Sequence, residues 1–160
     1  MRGMWAGLLS GRLLAVAVAL SAPATVSAQS IRDCETFEAN ARNVDFSQSP
    51  QVFAEGAISL IALDTEEPTC CSWHLMVLHP AGQGDPWQAC TLISREGSFG
   101  WVGLDLRSSR ASYDPARGLT VEVPARIYLP ESGFQNGTML EVTINQSTGS
   151  VTVDQRLGGE

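Results

Sequence analysis

The run Leu119-Thr120-Val121-Glu122-Val123-Pro124-Ala125-Arg126-Ile127-Tyr128-Leu129 alternates apolar and polar side chains along its whole length. A period of two places one set on each face of an extended chain, so the stretch reads as a long strand with one buried face. Pro124 cannot donate to a ladder, which places it at an edge, at a bulge or where a strand changes sheets. Working outward, short apolar runs bounded by Gly, Pro, Asn and Ser mark further strands near 52–63, 72–79, 88–95, 99–107, 138–145 and 150–155. Only Asp33 to Ala41 suits a short N-terminal helix, with Asp33 as its N-cap and Glu35 and Glu38 in the early turns. About seven short strands predict an all-β fold, an antiparallel β-sandwich or small barrel.

Turn chemistry sets a register. A hairpin closed with Tyr113 opposite Gly118 puts Leu106, Leu104 and Val102 opposite Ala125, Ile127 and Leu129, all on one apolar face. The other face then pairs Asp105 with Arg126 across the strands and Gly103 with Tyr128. In the last hairpin, Ile144 opposite Val151 and Val142 opposite Val153 keep a second apolar face, with Gly149 in the loop.

The 160 residues include ten arginines, no lysine and 17 acids, a net charge of -7. An extended polyanion-binding surface does not fit this balance, so no nucleic acid is expected as a partner. Without lysine, Schiff-base chemistry and a phosphate-loop lysine are excluded. Residues 1–28 have a basic start with Arg2 and Arg12, an apolar stretch from Leu13 to Leu20, and the ending Val26-Ser27-Ala28. This is the pattern of a secretory signal peptide cleaved after Ala28, too short in its apolar part to be a membrane span. The expected product is a single disulfide-stapled β domain, 29–160, periplasmic or secreted, with no membrane span. Cleavage removes two arginines and no acid, so its charge is -9, and nine acids face only Arg32 and Arg42 between residues 29 and 94.

Cys34, Cys70, Cys71 and Cys90 all lie in that domain, and an even count in an oxidising compartment predicts two disulfides. In extended chain Cys70 and Cys71 point to opposite faces, so the expectation is one bond from this pair to Cys34 and one to Cys90. A strained bond between the two neighbours is the alternative. As thiolates they would suit a metal instead, with Cys70, Cys34, His74 and His79 as ligands, but no compact ligand pair supports it. No metal site and no cofactor is therefore predicted.

Two places could carry recognition. One is the outward face of the 99–107 strand, where Trp101, Asp105 and Arg107 neighbour Arg126 and Tyr128, an aromatic and charged surface suited to a sugar, a peptide or a carboxylate. The plainer reading is that neighbouring chain covers this face. The other is the loop His79–Trp87, which holds two glycines and two prolines and ends on Trp87. A triad of His74 with Ser72 or Ser94 can be drawn, yet no nucleophile-elbow pattern accompanies it. Asn136-Gly137-Thr138 and Asn145-Gln146-Ser147 match glycosylation acceptors at positions where turns need such residues anyway. The reading is an exported, non-catalytic binding or envelope-assembly module for a small molecule, a glycan or a protein. A small secreted hydrolase and a Cys/His metal-handling protein are its alternatives.

Overall fold

Alternation and turn chemistry resolve into ten strands among the described residues, 29–48 and 50–157 of the computed structural model. The signal peptide read in residues 1–28 lies outside them. In chain order the strands are β1 (Ser30–Asp33), β2 (Gln51–Phe53), β3 (Ile58–Asp64), β4 (Trp73–Pro80), β5 (Gln88–Ser94), β6 (Gly103–Leu104), β7 (Arg110–Asp114), β8 (Gly118–Leu129), β9 (Phe134–Asn145) and β10 (Ser150–Leu157). They form two antiparallel sheets. The first runs β1-β5-β4-β3-β2, and the second runs β10-β9-β8-β6 with β7 also paired to β8.

The sheets pack face to face as a β-sandwich. Ile58, Leu60, Leu75, Val77 and Ile93 of the first meet Val121, Val123, Ile127, Leu140, Val142 and Ile144 of the second in one core. Each such side chain contributes roughly 1.5–3 kcal/mol by leaving water. Because β8 is long and strictly alternating, it supplies five core positions, Leu119, Val121, Val123, Ala125 and Ile127. Pro124 points outward from the core, and its carbonyl still accepts from the Asp105 N–H at 2.9 Å. The last hairpin has the expected pairs, Val151 with Ile144 and Val153 with Val142.

Three expectations are corrected. The segment after Asp33 is not an α-helix: β1 ends there, Asp33 accepts from the Glu35 N–H in a turn, and the one helical turn nearby, Ala41–Asn43, is a 3-10 turn capped by Asn40. The 99–107 strand is broken, leaving β6, a bridge between Trp101 and Trp73, and a 3-10 turn over Leu106–Ser108. That turn lifts the chain off β8 and returns it in a different register. Leu104 therefore faces Ala125, and Asp114 faces Gly118. The Asp105–Arg126 pair does not form, since Gly103 lies opposite Arg126 while Asp105 caps the turn, accepting from Ser108 Oγ at 2.7 Å.

Residues 34–48 fold over the outward face of the first sheet. The Asp45 N–H donates to the Ala62 carbonyl, Val44 bridges to Leu63, and the buried Asn43 side chain donates to the carbonyls of Phe37 and Glu38. This cover buries Leu63, Leu92, His74 and Ser94 on a face that would otherwise be wet.

Candidate functional site

The β4/β5 ladder, ending at Leu75 opposite Ile93, brings His74 beside Ser94. Both side chains project to the outward face under the 34–48 cover. His74 is 1% exposed, and its Nδ1 lies 2.8 Å from Ser94 Oγ. β1 adds Arg32 next to them, and Arg32 Nη2 donates to Ser94 Oγ and to Glu38 Oε1, each at 3.2 Å. Ser94 is wholly buried and accepts from Arg32, and its Oγ shares a further hydrogen bond with His74 Nδ1 whose direction follows the ring tautomer. His74 Nε2 has no hydrogen-bond partner among the described residues. Burial lowers the His74 pKa and the Arg32 charge lowers it further, against the opposing pull of Glu38 and Asp64. The ring is a neutral hydrogen-bond donor at pH 7. Burial raises the Glu38 carboxyl, but hydrogen bonds, including that from Arg32, outweigh it and hold the pKa below the usual value.

His74 and Glu38 line a cleft of about 480 Å³. Its rim carries Phe37 and Phe99, 60% and 67% exposed, and its wall is Thr65, Glu67, Thr69, Cys70 and Cys71 from the β3–β4 connection. The turn at Phe99 is closed by reciprocal bonds between the backbones of Glu96 and Phe99. Two aromatic residues, the paired cysteines and a buried histidine thus border one cleft. The same wall bounds a second cleft of about 640 Å³, lined on its far side by Val102, Tyr128 and Gln135.

The cysteines do pair, but not as expected: Cys34 bonds Cys90, and Cys70 bonds Cys71. The β1/β5 ladder decides the first pair, because its last register, Asp33 with Thr91, puts Cys34 beside Cys90 at a Cα separation of 5.6 Å. Once a strand rather than a helix runs into Cys34, those two are committed to each other. Cys70 and Cys71 remain in the connection, where Cys71 has a left-handed backbone, φ 70°. That conformation costs roughly 1–2 kcal/mol in a residue with a Cβ. Its carbonyl is fixed by the Gly100 N–H at 2.7 Å.

The sequence-derived ligand residues are not assembled in one place. Trp101 is wholly buried in the core with its indole N–H donating to Gln155 Oε1, so it presents no surface. Asp105 and Arg126 share a shallow hollow with Gly103, over which the Arg126 guanidinium lies. The Ser108 hydroxyl holds the Asp105 carboxyl below its usual pKa. Arg107 is exposed in the 3-10 turn, Tyr128 lines the second cleft, and Trp87, 76% exposed, sits by the opposite end of β4 from His74. His79 is buried on the core side, bonded to Thr91 Oγ1 and the Pro80 carbonyl. Sequence reading passed over Arg32 and Glu38. It weighed His74 with Ser94, and the β4/β5 register is the signal that joins them. No helix among the described residues is long and apolar enough to cross a membrane. The chain has no significant match to protein-family models, to curated proteins or to solved structures.

Proposed function

We propose that this chain is an exported, non-catalytic binding module and that its ligand sits in the cleft above His74. The observation that carries the reading is the unpartnered Nε2 of a buried ring whose Nδ1 is held by Ser94, itself bonded to Arg32 and, through Arg32, to Glu38. A buried ring nitrogen without a protein partner gains from a ligand group that bonds to it. With Phe37, Phe99 and the Cys70–Cys71 sulfurs around it, the fitting ligand is a small polar molecule with an apolar ring face, a sugar or the aromatic end of a peptide. Export rests on the signal pattern of residues 1–28, and two disulfides accord with an oxidising compartment. The hydrolase reading draws on the His74–Ser94 contact. Against it, Ser94 has no exposed surface and its hydroxyl is committed to two neighbours.

The chain has only two histidines, which makes the test direct. Ring NMR signals are followed while mono- and disaccharides and short aromatic peptides are added to tag-free protein. A ligand in the cleft shifts the His74 ring signals and leaves those of His79 in place, and Phe99→Ala weakens it about tenfold. Perturbation confined to the Trp87 loop, or turnover of the added molecule that Ser94→Ala abolishes, would reject the reading.

A further inference from the structure

A disulfide between sequence neighbours closes no chain loop, so Cys70–Cys71 cannot act as a staple in the way that Cys34–Cys90, 56 residues apart, does. Its position suggests another role. Both sulfur-bearing residues line both clefts, so the bond is a partition that can be approached from either side. Cys71 holds a left-handed backbone, as does Glu66 in the same connection, and among the described residues the one backbone bond at the Cys71 carbonyl comes from Gly100. Gly100 is itself tightly placed. A Cβ there would come within 2.1 Å of the Trp73 carbonyl and 2.7 Å of the Cys71 carbonyl.

We propose that Cys70–Cys71 is a two-electron thiol–disulfide site, reduced by a dithiol, whose opening releases the Gly100 anchor and reshapes the wall between the clefts. A thiolate of the dithiol attacks one of the two sulfurs, the Cys70–Cys71 bond breaks, and the other cysteine leaves as a thiolate that takes a proton from solvent. The second thiol of the reductant then attacks the mixed disulfide. The dithiol departs as a disulfide, and two cysteine thiols remain. With the bond open, Cys71 is free to leave its left-handed conformation, and its carbonyl turns away from Gly100. Glu67 borders both clefts, so a neutral dithiol is preferred to an anionic thiol. This site does not depend on the cleft holding a ligand.

The experiment is a graded reduction of the native, full-length protein with dithiothreitol or, in parallel, glutathione. Free thiols are alkylated and located by peptide mass, and amide exchange is read on the same samples. Dithiothreitol is expected to yield first a species alkylated at Cys70 and Cys71 alone, with protection of the Gly100 amide falling at least tenfold, and to do so at a lower thiol concentration than glutathione. Cys70→Ser/Cys71→Ser should lack this step and retain the native circular dichroism. Opening of Cys34–Cys90 first or together with Cys70–Cys71, or Gly100 protection unchanged after selective opening, overturns the proposal. The His74 ring test reads a different atom, so a cleft without a ligand and a bond that is not selectively reducible are told apart.

Discussion

The two disulfides sit in regions built on opposite principles. Cys34–Cys90 prolongs the β1/β5 ladder and ties the N-terminal strand, and the 34–48 cover behind it, to the first sheet. It closes a long loop in the unfolded chain and demands nothing unusual of the backbone. Cys70–Cys71 closes none, sits in a connection with two left-handed residues, and borders two clefts. One bond is placed where stability is gained, and the other where it is spent. Backbone strain of this kind persists where neighbouring contacts over-determine it, and it gathers at functional sites.

The largest expected effect separates the two bonds directly. Chain entropy assigns a loop of this length about 4 kcal/mol, so Cys34→Ser/Cys90→Ser should lose about that much in denaturant unfolding, and Cys70→Ser/Cys71→Ser less than ~1 kcal/mol. Equal losses would erase the distinction. Next in size is the anchor. Gly100→Ala forces a methyl against two backbone carbonyls that cannot swing away, and a loss of about 3 kcal/mol is expected. Gly137→Ala, with open space around its Cβ position, should change stability by less than ~0.5 kcal/mol.

A smaller effect comes from pH. The folded state holds His74 at a lowered pKa, so below about pH 6.5 the unfolded chain takes up a proton that the native ring refuses. The His74 contribution is full above that pH and falls as the solution is acidified toward pH 5, and the slope should shrink in His74→Gln. The carboxyls of Glu38, Asp45 and Asp105, whose pKa values are lowered, add their own loss at lower pH. Smallest of all is the surface of the second sheet. Arg156 bridges Glu122 and Glu141, which lie opposite each other on β8 and β9. These side chains are partly exposed, so Arg156→Ala should cost no more than ~1 kcal/mol and less in high salt.

Much of the fold was legible because alternation is a local signal. β8 is bounded almost where its pattern begins and ends, and the β9/β10 register follows from matching apolar faces across one short loop. The 99–107 stretch misled because its apolar residues also alternate, while the Asp105 cap that breaks it is a choice between two hydrogen-bonding roles for one carboxylate. That choice depends on Ser108 and on β8 together. The expected disulfide pairing failed because it took Cys70 and Cys71 as extended chain, whereas Cys71 has a left-handed backbone and the two bond each other, while the short β1 brings Cys34 to Cys90. The site was least legible. Arg32, Glu38, His74 and Ser94 are drawn from three separate segments and meet only after β1, β5 and β4 are aligned and residues 34–48 fold across them. Nothing in their spacing announces this.

The central claim is that His74 is a neutral ring, held by Ser94, in the lining of the cleft. Ring nitrogen NMR on uniformly labelled protein across pH 5 to 8 tests it most directly. The account predicts that the His74 ring is neutral at pH 7 and takes up its proton only below the ordinary histidine range, because burial opposes the charged form. A ring that becomes an imidazolium at or above the ordinary histidine pKa would contradict it.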